Sequence, residues 1–283
     1  MELTLALKSF PIRYRQVVRA VPLRPLDAYR PHDPFHHVRG RYIVRTAADG
    51  GDLEKVLRLR HAVFYDELLH RRTATGLDMD PYDLRADHLM VEEVASGALL
   101  GTYRVLSSRH VRSFYSQSEF KMRDLLDLPG SKLELGRACV HPDHRNGVTL
   151  MLLWRGISEY LKASRADYLF GCSSIKFTDP ERVNLVYRYL ATRHALPGER
   201  RVRPRRKFRY PGLDRVPAFP ALDEVELDRA RELVPSLLNA YLKAGARVCG
   251  QPALDRDFQC VDFLTLLDVR QLEATVERKY AVC

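Results

Sequence analysis

The sequence predicts an α/β protein, and two groups of segments carry this prediction. An apolar run at Leu133–Val140 precedes a segment of helical periodicity at 150–161, and a second apolar run follows at Tyr168–Cys172. Strand, helix and strand with short joints form a βαβ unit whose strands lie parallel. Upstream, His88–Val94 and Leu99–Leu106 flank a short polar turn, which is typical of an antiparallel hairpin.

The composition restricts the class of protein. The chain has 283 residues and 46% hydrophobic content, which suits one large globular domain or two small ones. Five cysteines without a C-x-x-C pair indicate reduced thiols in a cytoplasmic protein. The sequence shows neither a transmembrane run nor a signal-peptide pattern, so we expect neither. The formal net charge of +10 favours anionic partners, but we expect no nucleic acid because no nucleic-acid-binding motif accompanies the charge.

Residues 1–41 are basic and punctuated by proline, and we treat them as an N-terminal extension of a folded domain at 42–283. Such a segment fits an arm over the domain, an element on a membrane surface, or a packed extension. The domain is predicted to begin with a strand at Tyr42–Thr46, followed by a helix that ends near His70.

This first helix carries a charge within its apolar stripe. Arg60 lies on the same face as Phe64, so its guanidinium needs an ionic partner or must extend to solvent. His61 and Asp66 match the H-x4-D pattern of glycerolipid acyltransferases. We give this match no weight, because residues five apart do not share a face of an α-helix.

Three carboxylates cluster in the polar loop that follows the helix. Asp78, Asp80 and Asp83 are suited to a cation or an amine, or they lie in solvent. In the next strands, alternation places Arg104 on either the functional or the solvent-facing side of the sheet.

The strand at Leu133–Val140 contains a carboxylate and a guanidinium in a run otherwise fit for burial, which is costly unless the charges are used or paired. Glu134 and Arg137 lie on opposite faces of a regular strand. They serve one cleft only if the strand is bulged or splayed there. The alternative is a structural Glu–Arg network.

The turn after this strand favours an anion. A helix that opens after a tight loop presents free N–H groups and a partial positive charge, and Arg145 and Gly147 lie beside it. An ordinary turn with a solvated arginine is the alternative.

Two later segments complete the set of candidates. Tyr187 lies on the apolar face of a helix that begins near Asp179, where it either protonates a leaving thiolate or belongs to the core. The run at 199–210 is the densest in positive charge, which suits an acidic protein, lipid headgroups, or a solvated loop. Its candidate docking residues are Arg203, Arg205 and Arg206.

Beyond these patterns, most of residues 42–265 resembles the GNAT acyltransferase superfamily, and more closely the bacterial ornithine N-acyltransferases. A weaker similarity is to acyl-homoserine-lactone synthases. The matching segments are RHAVFYDEL, DPYDLRADHLMV, GTYRVL, FYSQSEF, LELGRACVHPDHRNG, LLWRGISEYL, YLFGCSSIKFTDP and YLKAGARVCGQPALDRDF.

The resemblance implies a mixed central sheet with flanking helices and a V-shaped opening between the strands at Glu134–Val140 and Tyr168–Cys172. The phosphopantetheine arm of the acyl donor would lie in this opening. CoA-using relatives carry R/Q-x-x-G-x-G/A in the phosphate loop, whereas this chain has Val148 and Leu150 at the last two fixed positions. This departure favours a donor with one phosphate, acyl carrier protein. The loop residues are Arg145, Asn146, Gly147, Val148 and Thr149.

The resemblance also implies a reaction. The α-amine of ornithine or a similar small amino acid attacks the thioester of a long-chain 3-hydroxyacyl group. Glu134 removes the amine proton, backbone N–H groups near Arg137–Cys139 stabilise the oxyanion, and Tyr187 protonates the thiolate. No metal or further cofactor is implied. The residues expected to bind substrate are Arg60, Phe64, Asp80, Asp83, Arg104 and Cys139. Asp80 and Asp83 would either hold cationic groups of the acceptor or anchor Arg60 and Arg104.

The expected setting is the cytoplasm, with a peripheral contact to the inner face of the membrane. Two other functions remain open on the sequence. One is a synthase of the same core that makes a diffusible acyl-homoserine-lactone signal. The other is a non-catalytic protein that uses its basic surface on membrane or nucleic acid.

Overall fold

The computed structural model describes residues 26–71, 73–198, 202–213 and 221–270. Most of the extension predicted at 1–41 lies outside the described residues. Its described part, residues 26–41, packs on the domain. The backbone N–H groups of His32 and Asp33 there donate to the carboxylate of Asp87 at 2.8 and 2.9 Å.

A mixed sheet forms the centre of the molecule. Over the described ranges it has nine strands in the order β1-β2-β3-β4-β6-β7-β11-β10, with β9 paired to β11, and a separate two-stranded sheet joins β5 to β8. The pairing of β6 with β7 is parallel, as the βαβ pattern predicted, and the other pairs are antiparallel. The strands are β1 His36–Arg39, β2 Tyr42–Thr46, β3 Asp87–Glu93, β4 Leu99–Ser107, β5 Phe120–Lys121, β6 Lys132–Val140, β7 Tyr168–Ile175, β8 Arg203–Pro204, β9 Arg247–Val248, β10 Ala253–Asp255 and β11 Cys260–Asp268.

Helices cover both faces of this sheet. The crossover helix α3 buries Leu153, Ile157 and Tyr160 against one face, where they meet Leu89 and Val105 of the sheet. Within the described ranges, no helix combines the length and hydrophobicity that crossing a bilayer requires. The α-helices are α1 Gly50–His61, α2 Arg123–Leu126, α3 Val148–Ser164, α4 Pro180–Arg193, α5 Glu224–Leu233 and α6 Ser236–Lys243. Short 3-10 helices lie at Leu26–Ala28, Asp83–Arg85, Tyr115–Ser118, Pro142–His144 and Arg206–Phe208.

Strands β6 and β7 form the predicted fork. Their ladder pairs Lys132–Glu134 with Tyr168–Phe170 and goes no further. The opening therefore begins after the pair Glu134–Phe170. The predicted range began at Glu134 on β6 and at Tyr168 on β7, so its first residues on both strands belong to the closed part. Gly171 lies at the branch point, where any Cβ would overlap the carbonyl group of Leu135.

Strand β6 also carries the bulge that the sequence made a condition for one cleft. Between Thr102 and Arg104 of β4, the register on β6 advances by three residues, from Cys139 to Gly136. The extra residue is accommodated at Arg137, whose φ of +53° is unusual for a side chain with a Cβ.

The first helix changes its geometry where the sequence predicted a continuous α-helix. Residues Ala62–Leu68 form a π-helix, whose wider turn brings together positions five apart. His61 Nδ1 therefore lies 3.3 Å from Asp66 Oδ2, and the expectation that these two residues do not share a face is wrong.

Candidate active site

A cavity of about 260 Å³ opens where β6 and β7 part. Its walls come from β4, β6, β7, the β10–β11 hairpin and α6, so it passes from one face of the sheet to the other through the fork. Of the predicted site residues, it brings together Phe64, Arg104, Glu134 and Arg137.

Glu134 is held rigidly at the closed end of the fork. It is 3% exposed, and its carboxylate accepts hydrogen bonds from the backbone N–H groups of Tyr115 and Ser116 at 2.7 and 2.6 Å. The Ser116 hydroxyl donates a third at 2.5 Å. Burial raises the pKa of Glu134 above its usual value, and the Ser116 donors oppose this rise. The result is a positioned carboxyl group with one oxygen, Oε2, that carries a single hydrogen bond.

Behind the cavity wall, predicted residues form an ionic network. Asp83 contacts Arg60 at 2.7 Å and Arg104 at 3.0 Å, so the charge in the α1 stripe is paired rather than solvated. Burial alone would raise the pKa of Asp83, but the two guanidinium groups hold it below its usual range. Asp80 contacts Arg104 and Arg137 at 2.6 and 3.1 Å. Arg60, Asp80 and Asp83 thus position the arginines that reach the cavity and do not line it themselves.

Arg137 is the most constrained of these arginines. Its guanidinium lies between the rings of Tyr115 and Phe258, at 5.0 and 4.9 Å from their centroids. One terminal nitrogen donates to Asp80. Nε is buried and lies 3.8 Å from Asp78 Oδ2, which is an ion-pair contact but too long for a hydrogen bond. A planar cation stacked in this way is suited to a carboxylate ligand.

The β10–β11 hairpin contributes an acidic wall that sequence reasoning missed. Asp255, Cys260 and Asp262 are buried, and their potential ligand atoms lie within 4.8 Å of one another. Glu119, 1% exposed, approaches the same wall, with its Oε2 3.8 Å from the Cys172 sulfur. A carboxylate inside the apolar run at 260–267 was the available clue, and it is the same clue that singled out Glu134.

The tyrosine at the cavity differs from the predicted one. Tyr187 lies outside the cavity lining and packs its ring near that of Phe263, with Val183 and Leu190 beside it, because the apolar face of α4 belongs to the core. We therefore assign Tyr187 no catalytic role. The hydroxyl groups of Tyr103 and Tyr241 contact each other, and both residues line the cavity. Burial raises the pKa of Tyr241 to about 12, so its hydroxyl is protonated at neutral pH.

Cys139 lies on the other side of the cavity wall. Its sulfur is 3.8 Å from the carbonyl oxygen of Leu59, and the side chain packs with Leu59 and Val63. A substrate in the cavity does not meet this thiol, whereas the backbone of β6 at this point borders the open side of the fork.

The predicted phosphate loop stands at the N-terminus of α3. Gly147 takes a φ of +86° and precedes the helix, and Asn146 Oδ1 accepts the N–H of Val148 at 3.1 Å. Arg145 is exposed and forms a bidentate ion pair with Glu67 at 2.6 and 2.7 Å. Thr149 is buried against Gly101. None of these residues lines the cavity, so a phosphate here would be joined to it by a flexible arm.

The three docking candidates lie on the surface. Arg203, Arg205 and Arg206 are all exposed. Arg205 also donates from Nε to the carbonyl of Gln117 at 2.5 Å, which ties it to the segment that leads to Glu119. A short strand, β8, and the 3-10 helix Arg206–Phe208 lie here, where a solvated loop was one of the alternatives.

Comparisons with known proteins show what the chain is similar to. A family model described as an acetyltransferase (GNAT) domain matches residues 59–155. The L-ornithine N(alpha)-acyltransferase of Rhodobacter capsulatus is 30% identical over 82% of this chain and 91% of the relative. That of Rhizobium meliloti is 29% identical over 84% of this chain and 85% of the relative.

Solved structures similar to this chain have lower sequence identity. A CoA-dependent acyl-homoserine lactone synthase, solved with SAM and isopentyl-CoA, is 16% identical, with 80% of this chain and 81% of that chain covered. Its TM-score is 0.46.

Proposed function

Because the chain belongs to the family of L-ornithine N(alpha)-acyltransferases, we propose that it transfers an acyl group from a thioester to the α-amine of ornithine. The donor is a long-chain 3-hydroxyacyl group on the phosphopantetheine arm of acyl carrier protein, and the product is a lyso-ornithine-type aminolipid. The observation that carries the proposal is the fork of β6 and β7, which brings a buried carboxyl group, Glu134, to a cavity that crosses the sheet.

Glu134 acts as the general base. The attacking amine must lose a proton as its nitrogen bonds to the thioester carbon, and Glu134 accepts it directly or through a water molecule. Its raised pKa brings it nearer the operating pH, which suits a base that must also release the proton.

Arg137 binds the α-carboxylate of the acceptor. Its stacking between Tyr115 and Phe258 fixes the plane of the guanidinium, and its Nε is a buried donor that needs an acceptor. A carboxylate held there places the neighbouring α-amine near Glu134, which lies three residues away on the same strand.

The backbone of β6 stabilises the oxyanion. Beyond Glu134 this strand has no ladder partner on the β7 side, so peptide groups near Arg137–Cys139 border the opening. N–H groups fixed in a strand donate to the developing negative charge without reorganisation.

Tyr241, supported by Tyr103, donates the proton to the departing thiolate when the C–S bond breaks. Attack is direct, without an acyl-enzyme. The thiols at the cavity are those of Cys172 and Cys260. Burial, followed by the charges of neighbouring carboxyl groups, raises the pKa of both above the usual value. A protonated thiol is a poor nucleophile.

The donor approaches from the α3 side. Its single phosphate contacts the loop at Arg145–Thr149, with the helix N-terminus and the Arg145 charge as the attraction. The exposed arginines at 203, 205 and 206 attract the acidic carrier protein. Since the product carries a long acyl chain, we place the reaction in the cytoplasm beside the inner face of the membrane.

The test is a reconstituted assay. Purified protein is incubated with a 3-hydroxyacyl carrier protein and ornithine, and the product is identified by mass spectrometry, which also locates the acyl group on the α-nitrogen or the δ-nitrogen. The matched reaction uses the same acyl group on CoA. Acyl-ornithine from carrier protein supports the proposal, and the absence of acyl transfer contradicts it.

A further inference from the structure

The cavity is bordered by more buried carboxyl groups than its cations pair with. The three arginines at 60, 104 and 137 are already paired with Asp78, Asp80 and Asp83. Lys176 also lines the cavity, but it is exposed and forms no ion pair with a described residue. Four further carboxyl groups in and behind the wall form no ion pair with any residue that the structure describes. They belong to Glu119, Glu134, Asp255 and Asp262, each 6% exposed or less. Buried carboxylates without a cation are costly unless a ligand supplies one.

Two of these groups face each other across the β10–β11 hairpin. Asp255 is paired with Cys260 and Ala253 with Asp262 in the ladder. The Ser174 hydroxyl donates to Asp262 Oδ1 at 2.5 Å, and the N–H groups of 257 and 258 donate to Asp255 Oδ1 at 2.8 and 3.0 Å. The second oxygen of Asp255 accepts no hydrogen bond from a described residue.

Glu119 adds an independent observation from a different part of the chain. Its Oε1 is fully buried and no described donor reaches it. Burial, and then the charges of Asp262 and Asp255, raise its pKa well above the usual value. Tyr115 and Asp262 form side-chain hydrogen bonds with this carboxyl group, so Oε1 alone is left without a donor, and a cationic N–H group would satisfy it.

The wall lies on the same side of the sheet as the proposed reaction centre. Direct ladder partners share a face, so Ser174 and Asp262 point to the side that carries Cys172. Ser116 then links this wall to the general base, because its hydroxyl contacts Glu134 Oε1 at 2.5 Å and the Cys172 sulfur at 3.3 Å.

We propose that Asp255, Asp262 and Glu119 bind the side-chain ammonium group of the acceptor, so that the cavity selects a diamino acid over a neutral amino acid of the same length. This inference rests on the proposed function and names the substrate class of that same site. The α-carboxylate lies at Arg137, the α-amine at Glu134, and the side chain extends along β7 toward the wall. An ammonium group offers three N–H donors to three carboxyl groups and relieves the repulsion among them.

A divalent metal ion is the competing occupant, because Asp255, Cys260 and Asp262 are all potential ligands. An ammonium group differs from such an ion in that its affinity depends on the acceptor's side-chain amine, so the experiment below distinguishes the two occupants.

The experiment measures binding and turnover separately. Ornithine and norvaline, which is ornithine without its side-chain amine, are titrated calorimetrically into the full-length protein without donor. For Asp262→Asn, we expect the dissociation constant for ornithine to rise about a hundredfold, as for loss of a buried charged partner. The affinity for norvaline should remain within about threefold, because it makes no charge contact there. The matched control is Asp268→Asn, which lies at the far end of β11 and pairs with Arg270.

Several outcomes overturn the inference. They are equal losses for ornithine and norvaline in Asp262→Asn, wild-type affinity for ornithine in that variant, and a stoichiometric metal, found by elemental analysis, that Asp262→Asn loses. Failure of the proposed function is a separate result. If no thioester is turned over but ornithine binds over norvaline in an Asp262-dependent way, the wall binds ammonium and the assigned reaction is wrong.

Discussion

Glu134 and Arg137 meet at Tyr115 although they lie three residues apart on one strand, because the Tyr115 N–H donates to Glu134 and the Tyr115 ring contacts the Arg137 guanidinium. In regular β structure an odd separation puts two side chains on opposite faces. The bulge in β6 and the positive φ of Arg137 change this relationship. The bulge therefore makes it possible for one strand to supply both the base and the carboxylate-binding group, and a positive φ at a non-glycine residue is strain of the kind found at functional sites.

Removing the charge of Glu134 should slow the chemical step. For Glu134→Gln we predict a fall in turnover of about 10² to 10⁴, the range for loss of a general base. The amide also presents N–H hydrogens to one of the donors at Tyr115 and Ser116, so some local displacement of the 3-10 helix is expected. Steady-state kinetics with saturating ornithine measures the effect.

The control for this variant is Glu159→Gln, on α3 and outside the cavity lining, which should leave turnover unchanged. Circular dichroism and thermal melting show whether Glu134→Gln remains folded. Turnover near the wild-type rate in a folded Glu134→Gln protein would remove this residue from the mechanism.

Tyr241→Phe should impair departure of the thiol. The loss of a proton donor typically costs about 10² or more in rate, and Tyr103 can replace part of it. A thioester whose thiol has a low pKa needs no such proton, so the variant should approach the wild-type rate with an aryl thioester. Comparing the two donors in one assay measures this difference.

The matched variant is Tyr187→Phe. Since Tyr187 lies in the core beside Phe263, it should turn over both donors at the wild-type rate, and its effect should be confined to stability. An equal loss with both donors in Tyr241→Phe would show that the hydroxyl positions a group rather than donating a proton.

The sequence was sufficient to identify a candidate site residue where a charge interrupts an apolar run. It was sufficient to predict the topology where a resemblance supplied it. Glu134 and Arg137 were found in this way, and the fork follows from the βαβ pattern joined to the resemblance. The acidic wall was missed because Asp262 is about 130 residues from Glu134 in the chain, and only the pairing of β7 with β11 brings the two together. No single-strand pattern contains that pairing.

The sequence could not decide between two roles of Asp80 and Asp83. They were candidates for holding the acceptor or for anchoring Arg60 and Arg104, and the structure shows the anchoring. The π-helix at Ala62–Leu68 was likewise out of reach, since its residues have no distinct helical period and the wider turn depends on tertiary packing.

Charge reversal at the exposed arginines proposed to dock the carrier protein should change the KM for carrier protein and no other KM. We predict that Arg203→Glu with Arg206→Glu raises the apparent KM for the acyl carrier protein severalfold, and that the effect shrinks at high salt. Arg205 is left intact because it is bonded to Gln117 near Glu119. The KM for a small pantetheine thioester should not change.

The control pair is Arg39→Glu with Arg41→Glu. These residues are exposed at the β1–β2 edge, whereas β8 lies near β10 at the other edge of the sheet, where Arg209 bridges to Ala253. If both pairs raise the KM equally, the effect belongs to net charge and not to a docking surface.

Ionisation of Asp262 should lower the free energy of unfolding of the ligand-free protein as the pH rises. Burial, with the charge of Asp255 and despite the Ser174 hydrogen bond, raises its pKa from 3.8 to about 6. The folded state thus binds the proton more tightly than the unfolded state, so the stability from this group is complete below pH 4 and is lost by about pH 6. A shift of about 2 units corresponds to about 3 kcal/mol.

Asp262→Asn removes this titration. Relative to wild type, its free energy of unfolding should therefore increase between about pH 4 and 6 and stay constant above, up to about 3 kcal/mol. Denaturant titrations at a series of pH values measure the difference. Because the charge of Asp262 also raises the pKa of Glu119, the measured difference includes the change in the Glu119 titration. A ligand-free variant less stable than wild type at pH 7 would mean that Asp262 is a structural residue, since a carboxylate kept for a ligand should be costly to the empty protein.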